Sequence, residues 1–284
     1  DLKIYNKIVE IALPDVVVGT NTKLSGRINA DKGEFVLAFD SPNITAYDNI
    51  FTNISIDVNN KNPLYNAYIA MDSVRMKNYK ISDFSLINVT QNDTLYLRSE
   101  FKGGNLGKDF YNLDLYHTID EDNNSVVGFK RSEINFKDYM WYINENNTTD
   151  NKIVFNKKLT DFSIDKITMS HNDQMVELMG ILKGKDYKDL KLTFNDVDLH
   201  KITPDIDSLS FGGRVNGGVS LKQDKQEFEP ASSITIDSLR LNKFLLGDMS
   251  LQVTGDRSFR KFNVNTTLSR NDEETFSTMG NIEI

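Results

Sequence analysis

The sequence contains no cysteine, so disulfide bonds, thiolate metal sites and cysteine nucleophiles are all excluded. This absence does not identify the compartment, because many proteins of oxidising compartments also lack disulfides. No stretch approaches the roughly 18 uncharged apolar residues that a membrane helix requires, and the first residues lack a basic region followed by an apolar run. We therefore expect any anchor or signal to lie outside these 284 residues.

Positive charge is also scarce. The chain has 41 acidic and 33 basic residues, a formal net charge of −8 at pH 7. This balance disfavours phosphate backbones as partners, so nucleic acid is not expected to bind. The charges are spread evenly, as on a solvated outer face. The 39% hydrophobic and 10% aromatic content nevertheless predicts a folded chain with a core.

Few residues are arranged for chemistry. His117, His171 and His200 lie far apart, without the close spacing that sets two metal ligands on one face. We expect no metal site, no cofactor and no enzymatic activity. The spacing of Asp205 and Asp207 predicts two carboxylates on one side of a strand, as in a glycosidase, but charged strand faces produce such pairs by chance. A β-solenoid glycosidase is kept as an alternative.

What the sequence does contain is a recurring strand unit: a glycine inside an apolar run, a polar break, and a second run that alternates apolar and polar residues. The best copies are residues 24–28 followed by 35–39, and residues 178–182 followed by 190–194. Glycine inside a strand costs stability, and it is tolerated where a sheet bends or another backbone approaches. The pattern predicts bends at Gly26, Gly128, Gly180 and Gly213. The alternative is that each glycine marks an isolated bulge in an ordinary β-sandwich.

Alternation with a period of two continues along the whole chain, and turn signals recur about every ten residues, as at 59–63 and 120–124. This predicts an all-β, extended and curved, mostly antiparallel sheet with an apolar trough. We expect residues 1–284 to form one continuous segment of a longer array, with a candidate subdivision near 144–151. The residues predicted to line the trough are Phe35, Leu37, Phe39, Leu95, Leu97, Leu113, Leu115, Phe129, Leu178, Leu190, Leu192, Phe194, Phe211, Val215, Leu251 and Val253.

Several longer phrases resemble the TamB family of translocation and assembly module proteins, within the wider AsmA-like group. They are KNPLYN at 61–66, NDTLYLRSEFKGG at 92–104, LYHTI at 115–119, SVVGFK at 125–130, DVDLHKITP at 196–204 and LGD at 246–248. The resemblance covers nearly the whole chain and is to the middle region of that family.

The resemblance implies a β-taco fold in a periplasmic protein of Gram-negative bacteria, tethered to the inner membrane by an N-terminal helix outside this chain. It also implies outer-membrane biogenesis as the role, with phospholipid acyl chains carried between the two membranes. An outer-membrane barrel assembly factor is the implied partner, contacted through regions outside these residues. No residue of that family is catalytic.

Two functional hypotheses follow. In the first, the apolar trough solvates acyl chains, which gain about 0.8 kcal/mol for each buried methylene group. In the second, the protein is a chaperone that holds strands of outer-membrane barrels by backbone pairing at a sheet edge.

Overall fold

The structure, a computed structural model, describes residues 2–3, 11, 13–77, 79–104, 107–203 and 209–283. Strands take up 72% of the chain and helices 2%, which confirms the expected all-β class. The strands pair with antiparallel neighbours throughout the described pairings, for example from residue 161 to residue 283 without a parallel step. The candidate catalytic pair Asp205 and Asp207 lies outside the described residues.

The chain forms two compact units. Unit 1 contains residues 1–118 and 129–140, and unit 2 contains residues 119–128 and 141–284. The expected single continuous segment of a longer array stays a prediction. The candidate subdivision at 144–151 lies inside unit 2.

Unit 1 is built from hairpins that follow one another along the chain. Each strand pairs with the next, and two short strands at 2–3 and 16–18 pair with residues 23–24 and 44–46 at the start of this series. The strands are β1 (Leu2–Lys3), β2 (Val16–Val18), β3 (Lys23–Asn29), β4 (Glu34–Ala46), β5 (Asn49–Asn59), β6 (Ala67–Arg75), β7 (Lys80–Gln91), β8 (Thr94–Gly103), β9 (Asp109–Ile119) and β11 (Ser132–Phe136).

Unit 2 repeats this plan and adds one short helix, α1 (Leu199–Ile202), which Asp198 caps by accepting a hydrogen bond from the His200 amide. Its strands are β10 (Ser125–Phe129), β12 (Tyr139–Ile143), β13 (Lys152–Phe155), β14 (Asp161–His171), β15 (Gln174–Lys183), β16 (Tyr187–Asp198), β17 (Phe211–Asp224), β18 (Glu227–Leu241), β19 (Phe244–Gly255), β20 (Lys261–Arg270) and β21 (Glu273–Glu283). Residue 129 of β10 and residues 139–140 of β12 are counted in unit 1.

Several hairpins close through two residues that both have positive φ. Such turns follow the right-handed twist of the strands they join, and short polar residues are favoured in them. They occur at Tyr47 and Asp48, Asn92 and Asp93, Lys137 and Asp138, and Asn271 and Asp272.

Side chains alternate between the two sides of each strand, but in six strands the alternation slips once. At these points two polar residues, instead of one, separate successive apolar side chains. Pairing is shifted or interrupted at each of them. The extra residue keeps the apolar side chains before and after it on the same side of the sheet. The six segments are FTNI at 51–54, MDSV at 71–74, ISDF at 81–84, IDKI at 164–167, FNDV at 194–197 and IDSL at 236–239.

In four of these segments the third residue has a left-handed backbone. These are Asn53 (φ 48°), Asp83 (φ 53°), Asp196 (φ 52°) and Ser238 (φ 53°). Side chains of the next strand bind the slipped backbone: Asn216 Oδ1 accepts from the Asp196 amide at 2.8 Å, and Asp248 Oδ1 accepts from the Ser238 amide at 2.7 Å. At these two slips a short polar residue occupies the left-handed position, and a second one binds it from the next strand.

The predicted bending glycines relate differently to these irregular points. Gly213 has φ +125° and sits at the register shift between β17 and β18, where an added Cβ would lie 2.8 Å from Ile236 Cγ2. Gly180 has φ +154° and adjoins the shift between β14 and β15. Pairing continues without a shift through Gly26, and the register of β10 with β13 ends at Gly128 without a shift before it. Polar residues thus mark more of the irregular points than glycines do.

The left-handed backbone at Ser238 yields a stability prediction. A β-branched side chain is strained in this conformation, so Ser238→Val is expected to lower the free energy of unfolding by about 1–2 kcal/mol. Ser238→Gly removes the strain instead, and urea unfolding should show little change for it. Equal stability of the two variants would show that the conformation at residue 238 does not constrain the fold.

Candidate functional site on the apolar side of each unit

In unit 2, strand pairing aligns apolar side chains into rows that run across successive strands. One row contains Leu178, Leu192, Val219, Val253 and Val264; a second contains Val176, Phe194, Ile234 and Leu251; a third contains Val197, Val215, Ile236, Met249 and Leu268. We call this the apolar side of unit 2. It collects the trough residues predicted for β15 to β19, namely Leu178, Leu190, Leu192, Phe194, Phe211, Val215, Leu251 and Val253.

Unit 1 has a corresponding apolar side. One row contains Leu24, Phe39, Ile56, Ile69, Leu86 and Leu113, with Ser99 between the last two; another contains Leu37, Val58, Ala67, Leu97 and Leu115, with Asn88 interrupting it. Phe35 pairs with Ile28, and Leu95 pairs with His117. Pairing therefore brings the predicted trough residues of β4, β8 and β9 to one side. Phe129 ends β10.

Aromatic rings extend the apolar side of unit 1 across β7, β8 and β9. The ring centroids of Phe84 and Phe101 are 6.1 Å apart, and those of Phe101 and Tyr111 are 4.6 Å apart in a stacked arrangement. The Tyr111 hydroxyl shares a hydrogen bond of 3.0 Å with the Tyr79 hydroxyl. Burial, followed by this bond, raises the pKa of Tyr111 well above its ordinary value.

Much of this apolar surface stays accessible to solvent. The chain exposes 18403 Å². A compact protein of 32.4 kDa exposes roughly 12,000 Å², and two compact proteins that share this mass expose roughly 15,000 Å² together. On the apolar sides, Phe35 is 39% exposed, Val219 41% and Ile28 75%. Contiguous apolar surface of this kind marks a site for a ligand, a membrane or a partner.

Burial is uneven along the strands. Of the eight buried apolar side chains of the described residues, five lie at or beside the slipped segments, namely Ile54, Val74, Val197, Val215 and Ile236. The apolar residues on the other side of each slip, such as Leu37, Leu190 and Leu192, are half-buried. The accessible part of each apolar side therefore begins where the slipped segment ends.

Charged side chains occupy the opposite, polar side of the strands. Lys166 pairs with Glu177 at 3.0 Å, Arg214 with Asp196 at 3.0 Å, and Lys102 with Asp83 at 2.8 Å. Pairs as exposed as these contribute little to stability. Their importance here is that they assign the two sides of the strands opposite characters.

The histidines considered as catalytic or metal-binding residues lie in ordinary elements of the fold. His171 lies 5.3 Å from the ring of Trp141, which is 1% exposed, and its Nε2 is 3.1 Å from Lys201 Nζ. His117 is half-buried in β9, and His200 lies in α1. Within the described ranges, no group of three or more His, Asp or Glu side chains is arranged to hold a metal ion.

Two features, the slipped segments and Lys188, are not predicted by the alternation of apolar and polar residues. The slipped segments depart from a period of two, although a pair of polar residues containing Asp or Asn between two apolar residues is their signal. Lys188 was not singled out either, because a lysine in an alternating strand is ordinarily assigned to solvent. Pairing instead places it opposite Leu182 and Gln223, on the apolar side of unit 2.

No family model, no curated protein and no solved structure matches this chain. The resemblance to the TamB family therefore remains a prediction from the sequence. Among the residues that the structure describes, none belongs to a helix with the length and apolar character needed to cross a bilayer.

The raised pKa of Tyr111 predicts an alkaline loss of stability. The folded protein holds this proton to higher pH than the unfolded chain, whose tyrosine titrates near 10.0. The stabilisation is therefore complete below pH 10 and declines as pH rises above it. Urea unfolding should show a steeper loss of stability above pH 10 in the wild type than in Tyr111→Phe.

Tyr47→Phe provides the control, because Tyr47 is 70% exposed. Its stability should follow the wild-type pH dependence. The same slope above pH 10 in the wild type and in Tyr111→Phe would contradict the assignment.

Proposed function

We propose that the apolar sides of the two units bind the acyl chains of phospholipids. The observation that carries the proposal is the set of rows in which apolar side chains, many of them half-buried, predominate on one side of the strands, with the charged residues on the opposite side of the same strands. An acyl chain on such a surface gains about 0.8 kcal/mol for each methylene group removed from water. Binding of this kind needs no particular headgroup, so we expect broad lipid specificity.

The wider role that we propose is that of a segment of a periplasmic protein. Such a protein would carry phospholipids between the inner and outer membranes of a Gram-negative bacterium and support outer-membrane biogenesis. The resemblance to the TamB family supports this role, and the unequal charge of the two sides of the strands is compatible with it. A barrel assembly factor as partner belongs to the same proposal.

The test introduces a charge on the apolar side of unit 2. Leu192 lies between Leu178 and Val219 in its row, so Leu192→Asp places a carboxylate against any bound acyl chain. Burying an unpaired charge is strongly unfavourable. We expect the phospholipid that co-purifies with the chain, measured by native mass spectrometry and lipid extraction, to fall about tenfold.

Ser220→Asp is the matched control. Ser220 lies on the next strand and on the polar side, opposite Lys191, so its carboxylate should leave lipid loading unchanged. Circular dichroism establishes that both variants are folded. Undiminished phospholipid loading in folded Leu192→Asp would contradict the proposal.

A further inference from the structure

Within the described strands β14 to β20, the apolar side of unit 2 carries one charged residue that is not at a strand end, Lys188. In strands β14 to β20, alternation and pairing place every Asp, Glu and Arg on the polar side or at a strand end, and every Lys except Lys188. Lys188 is half-buried, and the next apolar-side residue along β16 is Leu190. A lone cation at the margin of an apolar surface complements an amphiphile that ends in a single anionic group.

The neighbour of Lys188 on β17 is also polar. Gln223 is 6% exposed, and its Nε2 donates to the carbonyl oxygens of Lys185 at 3.1 Å and Lys225 at 2.7 Å. These two bonds hold the amide in place, while its Oε1 accepts no hydrogen bond from the protein. Lys188 and Gln223, which pair across β16 and β17, thus form a small polar margin of the apolar side.

The length of the apolar side beyond Lys188 suits a lipid chain. From Lys188 to Phe194, the apolar side of β16 extends over six residues, roughly 20 Å. An acyl chain of one bilayer leaflet spans about 15 Å, half of the hydrocarbon core. An anionic group at Lys188 would therefore allow the chain to lie along Leu190, Leu192 and Phe194.

Unit 1 offers an internal comparison. Its apolar side in β3 to β8 carries no Lys, Arg, Asp or Glu. Strands β3 to β8 of unit 1 therefore offer no lysine or arginine on the apolar side that could bind an anionic group.

We infer that Lys188 binds the anionic group, a carboxylate or a phosphate, of an amphiphile whose chain lies on the apolar side of unit 2. The inference rests on the proposed function and adds to it a contact that discriminates by charge. Fatty acids and phospholipids both supply such a group.

The experiment titrates the full chain with three probes that share one hydrocarbon tail: oleate, oleyl phosphate and oleyl alcohol. Binding is followed at the methyl NMR signals of Leu190 and Leu192, which report on unit 2. Lys188→Gln should weaken the two anionic probes about fivefold, as expected for a partly exposed ion pair worth roughly 1 kcal/mol. The affinity for oleyl alcohol should not change.

Three further measurements separate charge recognition from a structural role. Lys188→Arg should restore binding of the anions, and Lys191→Gln, on the polar side of the same strand, should behave as the wild type. Added salt should weaken binding of the anions to the wild type but not to Lys188→Gln. If Lys188→Gln weakens the binding of oleyl phosphate alone, the group bound by Lys188 is a phosphate. If it weakens the binding of both anions, carboxylates are included.

The possible failures are distinguishable. Equal affinity of the anions for the wild type and Lys188→Gln, or an equal loss for oleyl alcohol, would overturn the inference and leave the proposed function standing. If none of the three probes shifts the Leu190 and Leu192 signals of the wild type, both fail.

Discussion

The apolar side of each unit depends on one constraint: the apolar side chains of successive strands must all lie on the same side of those strands. Strict alternation meets this constraint over short strands, but several strands here exceed ten residues. The slipped segments meet this constraint over a greater length, because the extra residue at each slip keeps the apolar side chains that follow it on the apolar side. Polar side chains such as Asn216 and Asp248, which bind the slipped backbone, are therefore as important to the apolar side as the apolar residues themselves.

Alternation in the sequence was sufficient to predict the all-β class and the residues that gather on the apolar sides, because side-chain direction in a strand follows from local backbone geometry. Phe194 and Val197 show where that reasoning stops. They are three residues apart, so strict alternation assigns them to opposite sides, yet Asp196 with its left-handed backbone brings them to one side. The division into two units was equally hidden, since it depends on contacts between residues distant in the sequence.

The distribution of charge connects the fold to the proposed function. The exposed ion pairs add little stability, but they keep one side of the strands in water and leave the other to apolar ligands. On that other side, a single cation at the margin changes the expected specificity. A purely apolar surface selects for chain length, whereas Lys188 would add selection for an anionic end.

The central claim is that acyl chains contact one side of the strands and not the other. The most direct measurement is paramagnetic broadening of methyl signals by stearate that carries a nitroxide on its chain. The account predicts strong broadening at Leu192, Val219 and Val253, and little at Ile181, an exposed apolar residue on the polar side that pairs with Asp189. Broadening as strong at Ile181 as at Leu192, or none at either, would contradict it.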